Sequence, residues 1–300
     1  MTIAHQSPVP PTEASSRIAT WRLLLRNPTA VASAGILLFA VLTAAIGAPI
    51  VSSSVNHVDM VQALQPPSLA HWFGTDELGR DLLVRTISAI PVSLTVAVVS
   101  VSFALILGGS IGIVSGYVGG WIDGVLMRLT DVMFAFPVLL LALAIVAILQ
   151  PGITTTTLAI GIVYTPIFAR VARASTLSVR VEPYVEVSRT MGTSTTYILT
   201  RHVLPAITGP MMVQTSLSLA FAILSEAALS FLGLGIQPPQ PSLGGMLFDA
   251  QGFLGMAWWM SVFPGAAIFV IVLAFNLLGD ALRDVLDPRQ RTMLESRATR

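Results

Sequence analysis

The stretch YVEVSRTMGTSTTYILTRHVLP, residues 184–205, holds one Glu, two Arg, one His and seven Ser or Thr. It interrupts a 300-residue chain that is 54% hydrophobic and only 10% charged, with mean hydropathy +0.80. A soluble domain of similar length carries about 25% charged residues. The chain therefore reads as an all-α polytopic membrane protein, and the polar stretch as its exception. Pro183 suits a first helical position, where its missing N–H does no harm. Tyr184, Val187, Ser188 and Met191 then fall on one face. Gly192 can take the left-handed conformation that ends a helix. Ser194 can cap a second short helix, with Ile198 and Val203 on its apolar face and Pro205 marking its end. The pattern predicts a helix–turn–helix in or below the cytoplasmic interface. It is either a plain re-entry loop with an amphipathic helix resting on lipid, or a docking knob for another protein.

Outward from this stretch lie the apolar runs. About 20 apolar residues carry a helix across roughly 30 Å of hydrocarbon. Six such runs lie near 29–51, 90–118, 132–150, 156–177, 206–233 and 261–282. The fourth is interrupted by Tyr164, Pro166 and Arg170. All six are expected to be helical, because a spanning backbone must satisfy its own hydrogen bonds. All 16 basic residues are Arg. With the N-terminus in the cytoplasm, 14 of them fall inside and only Arg80 and Arg85 outside, so the positive-inside rule puts both termini in the cytoplasm. The first 28 residues and residues 287–300 are then cytoplasmic tails, disordered over most of their length. Nothing at the N-terminus reads as a cleaved signal peptide.

Two outer segments are long. Residues 52–89 contain Thr75 followed by Asp76 and Glu77, which looks like a helix start. Asp81 and Arg85 there have i,i+4 spacing. Residues 234–260 contain a Pro/Gly cluster that predicts a structured loop, then Trp258 and Trp259, expected at the membrane interface. In the second span Gly108, Gly112 and Gly116 form a row of small residues that permits close helix contact, for ordinary packing or for sliding.

Several chemistries are excluded. A chain without Lys cannot build the phosphate loop G-x-x-x-x-G-K-[ST]. No Cys is present, so disulfides, thiolate metal sites and Cys nucleophiles are out. A net charge of +1 makes nucleic acid an unsuitable partner. GGSIG at 108–112 matches a nucleophile-elbow pattern, but it lies within a span and Ser110 has no nearby base. The four His are scattered outside the spans, which argues against a metal site. Catalysis by this chain is not expected.

The remaining charges invite other roles. Glu226 lies inside the fifth span, where an ionisable residue is a functional candidate. It either lines the translocation path, meeting an amino group or a cation, or acts as a structural latch. Arg128 and Asp131 make an i,i+3 pair at the start of the third span. Arg283 and Asp287 make an i,i+4 pair at the end of the sixth, beside Asp280 and Asp284. These are expected to anchor the cytoplasmic interface or to contact a partner. One functional reading is a secondary transporter driven by an ion gradient, with Glu226 carrying a proton, although no internal repeat is evident.

The other reading follows from resemblance. Glu186, Gly192, Leu204 and Pro205 match the cytoplasmic loop of binding-protein-dependent ABC importer permeases, E-A-A, three residues, Gly, nine residues, I-x-L-P. Val187 and Ser188 replace the two alanines, and His202 stands where Ile is usual. HWFGTDELGRDLL, MRLTDVMFAFPVLLLALA, ALSFLGLGIQPPQPSLGGML and NLLGDALRDVLDPR resemble the C-type subunit of dipeptide, oligopeptide and nickel permeases. The resemblance covers about residues 20–290. It implies a type I ABC importer permease fold: an extra N-terminal helix at 29–51 and a five-helix core at 90–286. The core holds a coupling loop at 182–205 and an outer loop at 234–260. It implies a bacterial inner-membrane protein paired with a homologous B-type permease. Two cytoplasmic ATPase subunits would hold ATP and Mg, and an extracytoplasmic binding protein would deliver di- or oligopeptides, a nickel chelate or glutathione. This chain would bind no cofactor. In family terms Glu186 contacts or orients the docking surface and Gly192 makes the bend. Arg189, exposed beside them, is expected to help.

Overall fold

The computed structural model describes residues 25–286. Among them the regular elements are all helical, and the only strand-like feature is an isolated bridge between Thr75 and Asp81. Residues 1–24 and 287–300, Asp287 among them, lie outside the described residues. Helix α1 spans Pro28–Val51. Asn27 starts it, its side chain accepting from the Thr29 N–H at 3.0 Å, and Pro28 takes the first position, where no N–H is needed. Ala30, Ser33 and Ala40 form its buried face. Leu38, Phe39, Ile46 and Ile50 stay exposed on the other side, as lipid-facing residues do. α1 packs against the last helix, so it is peripheral to the core.

The core is built on α2, Leu82–Val118, and α5, Ile153–Arg180. A Cβ placed on Gly108 would strike the Thr165 carbonyl and the Phe168 side chain. One on Gly112 would strike the Ala169 carbonyl and Ala172, and one on Gly116 the Arg173 carbonyl and Thr176. Gly161 on α5 returns the contact, against Phe103 and the Ser100 carbonyl. Lipid tails are as apolar as Leu, so hydrophobicity cannot drive this pairing; close backbone approach and dispersion do. The contacts ascend together along both helices, which means α2 and α5 run parallel. The chain between them must therefore cross back.

That return is broken. The sequence predicts one span near 132–150; instead α3, Gly120–Phe134, meets α4, Val138–Leu149, at 87°. Pro137 has an extended ψ of 129°; its ring removes a donor and biases Phe136 away from the helix. Twelve residues of α4 rise only about 18 Å, short of a full crossing by themselves. The described residues hold five uninterrupted helices of spanning length, six crossings with the bent pair.

Pro166 does not interrupt α5, and the polar residues on either side of it reach neighbouring helices. The Tyr164 hydroxyl lies 3.2 Å from Ser225 Oγ, and Arg170 pairs with Asp131. After α5 comes α6, Pro183–Thr190, then α7, Thr195–Phe231. The expectation that a short helix ends at Pro205 is corrected: α7 runs through it. Leu199–Val203 form a π-turn, and the Leu204 N–H bonds the Leu199 carbonyl. The widened turn accommodates a proline that lacks the N–H for an ordinary helical bond. The outer loop contains α8, Leu243–Ala250, capped by Ser242. α9, Trp259–Leu286, closes the bundle against α7 and α1.

Candidate functional site

At one end of the bundle, α6 and the start of α7 form a bent elbow. The Thr193 N–H bonds the Ser188 carbonyl at 3.1 Å and the Gly192 N–H bonds the Arg189 carbonyl at 3.1 Å. Gly192 sits between them at φ +76°, the left-handed turn that Gly adopts without steric cost. Ser194 then caps α7, accepting from the Tyr197 N–H at 3.4 Å. Val185, Ile198 and Val203 are buried and hold the elbow to the bundle. The face of Tyr184, Val187 and Met191 points outward instead; Met191 at the tip is 80% exposed. Glu186 and Arg189 are exposed beside it, Leu204 is 48% exposed, and Pro205 is exposed on the first turn after the π-turn.

The two polar replacements in the loop pattern meet across the elbow. Ser188 Oγ donates to the Tyr184 carbonyl at 2.8 Å and lies 3.3 Å from His202 Nε2. Since its single proton is used, Ser188 accepts from His202. The imidazole stands between Tyr184 and Tyr197, with ring centroids 5.6 and 5.9 Å away. Neither residue signalled this contact in sequence, because they lie 14 positions apart on two helices separated by the turn at Gly192.

Glu226 is fully buried in α7. Ser93 Oγ of α2 donates to one carboxyl oxygen at 2.7 Å, and Ser230 Oγ donates to the other at 2.9 Å. Ser230 Oγ accepts in turn from the Ile236 N–H at 3.2 Å. The acid thus ties α2, α7 and the outer loop together.

The charges near the elbow differ from their predicted pairing. Asp131 does not serve Arg128; it accepts from Arg170 of α5 at 2.7 Å, and Arg170 also lies 3.9 Å from the Phe134 ring centre. Asp123 accepts two hydrogen bonds from Arg173, each 2.6 Å, and one from Ser115. Both acids pair across helices, Asp123 with a bidentate Arg173 and Asp131 with an Arg170 that also packs on the Phe134 ring, which fixes α3 against α5. Arg128 is exposed on the apolar face of α3 with Val125, Leu129 and Val132. Asp280 and Arg283 are exposed on the last turns of α9. Ser110 donates to the Ile106 carbonyl of its own helix at 2.6 Å.

Residues 108–292 match the family described as binding-protein-dependent transport system inner membrane component, and residues 17–67 match the N-terminal transmembrane domain of oligopeptide transport permease C. The chain belongs to the binding-protein-dependent permease family. A dipeptide transport system permease of Alkalihalophilus pseudofirmus is 40% identical over 97% of both chains. A glutathione transport system permease of Pectobacterium atrosepticum is 41% identical over 91% of both, and a probable D,D-dipeptide permease of Escherichia coli 39% over 89% of this chain and 90% of that one. In fold the chain is similar to an inward-facing MetNI methionine ABC transporter structure, with TM-score 0.58 at 15% identity over 69% of this chain and 98% of that one. The protein is a multi-pass inner-membrane permease subunit of an ABC importer. Its family works with a substrate-binding protein and an ATPase. The ion-gradient reading of Glu226 gives way to the ATP-driven one.

At the opposite end of the permease the sequence expectations need correcting. Thr75 does not start a helix. Its hydroxyl donates to the Gln62 carbonyl and accepts from the Gln65 N–H at 2.8 Å, pinning a loop. Asp81 starts α2 instead, accepting from the Val84 N–H at 3.0 Å, with its other oxygen 2.8 Å from His71 Nδ1. It is therefore not the partner of Arg85, which reaches Asp76 at 3.2 Å and Asp249 of α8 at 3.8 Å. Arg80 bonds Asp76 at 2.6 Å and Glu77 at 2.9 Å. The Trp pair divides. Trp259 is buried, and its Nε1–H donates to the Thr75 carbonyl at 3.1 Å, while Trp258 stays half-exposed. The pairing of α8 with α2 carried no sequence signal, because the two acidic and basic partners are far apart in the chain.

Proposed function

We propose that this permease is a non-catalytic half of the translocation path of an importer for di- or oligopeptides. Its partners are a homologous B-type permease, two cytoplasmic ATPase subunits and an extracytoplasmic binding protein. Both termini lie in the cytoplasm; ATP and Mg are bound by the ATPases, and no cofactor by this chain. The observation that carries the reading is the elbow at 182–205. Here Val187 and Met191 are exposed on a tip that also presents Glu186 and Arg189, a mixed surface of the sort that protein interfaces use. Glu186, Arg189, Gly192, Leu204 and Pro205 form the coupling surface. α7 continues from the elbow into the membrane without a break, so displacement of the tip moves a spanning helix. Coupling then requires only that the ATPases contact the tip differently in their two states.

The peptide assignment is supported by the relatives named for dipeptide and D,D-dipeptide transport; the relative named for glutathione transport keeps a modified tripeptide within the same class. Glu226 is assigned as a latch rather than a path residue, because both of its oxygens are engaged by hydroxyls of the same chain. The assembled complex in proteoliposomes, offered dipeptides, oligopeptides, glutathione and a nickel chelate, is expected to import peptides with ATP hydrolysis. Glu186→Ala and Gly192→Pro are expected to separate hydrolysis from uptake, or to release the ATPases, while the spans still insert. Undiminished coupled uptake in both variants would overturn the docking assignment.

A further inference from the structure

The outer-end charges enclose a cleft of about 440 Å³. It lies between the loop before α2 and the segment from Ser230 to Asp249, with Glu77, Arg80, Arg85 and Asp249 on its walls. Asp76 is consumed internally: it accepts from the Leu78 and Arg80 N–H groups at 2.9 Å each and from the Arg80 side chain. Glu77 gives one oxygen to Arg80 at 2.9 Å, while its Oε2 is buried with no hydrogen-bond partner. Asp249 has only the distant Arg85 contact at 3.8 Å. The Arg85 side chain is 8% exposed and lies 3.2 Å from Asp76, yet its Nε and Nη1 make no hydrogen bond of good geometry. Incompletely hydrogen-bonded residues of both signs thus line one cavity, and buried polar groups are normally satisfied.

A simple cation would answer only the carboxylates, and a simple anion only the guanidinium. A ligand that answers both carries an ammonium and a carboxylate. The cleft volume falls in the range of small-molecule sites, roughly 300–1,000 Å³, and Ile236, Pro238 and Phe248 add apolar wall for side chains. We propose that the cleft is a subsite for a short zwitterionic peptide, with Glu77 and Asp249 receiving the amino terminus and Arg85 the carboxylate. This rests on the peptide reading above. Its floor is Ser230, the same residue that bonds Glu226, so a bound peptide sits one contact from the latch between α2 and α7.

Burial holds the Glu77 and Asp249 carboxyls above their usual range. An ammonium needs them ionised. Peptide binding therefore weakens as pH falls through that raised range, with Asp76 opposing and Arg80 and Arg85 favouring ionisation.

The test is equilibrium dialysis of labelled alanyl-alanine against the complete nucleotide-free transporter without its binding protein. Wild type is expected to bind saturably and to reject N-acetyl-alanyl-alanine and alanyl-alanine amide by at least about thirtyfold, the loss expected when a buried charge meets no partner. Asp249→Asn, at a side chain 37% exposed, should lose rejection of the acetylated peptide; Arg85→Gln should lose rejection of the amide. Absence of saturable binding, or an unchanged thirtyfold preference in Asp249→Asn, overturns the subsite. Wild-type uptake with the binding protein is measured in parallel. Peptide import alongside a failed dialysis result refutes the subsite alone; no peptide import refutes the reading beneath it.

Discussion

Gly192 combines φ +76° with open space where a Cβ would stand, so its requirement is purely conformational. Gly192→Ala should cost about 1–2 kcal/mol through the left-handed backbone alone, and Gly192→Asn less, since Asn tolerates that region. Amide exchange at Thr193, whose N–H closes the turn onto Ser188, should be fastest with Ala at 192, slower with Asn and slowest with Gly; equal rates would refute a φ-based role. The Ser188–His202 contact is a second residue-scale claim. A double-mutant cycle of Ser188→Ala and His202→Ile should show coupling of about 0.5–1.5 kcal/mol in thermal stability of the assembled complex; additive effects would mean the two residues act independently. For Glu226, Gln can still accept from one serine and donate to the other, whereas Leu orphans the Ser93 and Ser230 hydroxyls. Glu226→Gln should melt near wild type, and Glu226→Leu should lose about 1–3 kcal/mol per orphaned group. Loss of uptake in a normally stable Glu226→Gln would return Glu226 to the translocation path.

At the scale of elements, the glycine row is the firmest prediction. An Ala at Gly112 drives its Cβ into the Ala169 carbonyl, which is backbone and cannot swing aside. At Gly109 the nearest atom is the flexible Met211 side-chain end at 3.4 Å. Gly112→Ala should therefore destabilise the complex by about 1–3 kcal/mol and Gly109→Ala by much less, read as thermal stability in detergent. Equal behaviour would deny the close α2–α5 approach. This row was legible in sequence because small residues at spacing four have one structural use. The spanning helices were legible because the bilayer demands length and apolarity. The break at 135–137 was not, since Pro137 sits inside a continuous apolar run and elsewhere Pro166 leaves its helix whole. Nor was the fate of Pro205 legible: one π-turn decides whether a proline ends a helix or is absorbed by it. The i,i+3 and i,i+4 ion pairs, Arg128 with Asp131 and Asp81 with Arg85, were read from local spacing. In three dimensions Asp131 and Arg85 found partners on other elements, which spacing cannot reveal.

For the whole molecule, the parallel course of α2 and α5 places the elbow at one end of the bundle and the Arg85 cleft at the other. The absence of Cys makes the topology directly measurable. In intact cells a membrane-impermeant maleimide should label Leu69→Cys, a site 98% exposed on the outer loop, and should label Thr190→Cys only after permeabilisation. The reverse pattern would invert the protein and with it the assignment of both ends. The account stands on the elbow being the place where an ATPase pushes. Met191, 80% exposed at its tip, can be replaced by Cys and fitted with a benzophenone before the ATPases are added. Illumination should join this chain covalently to an ATPase subunit, with a yield that changes between nucleotide-free and ATP-bound states; adducts with lipid alone in both states would contradict the account.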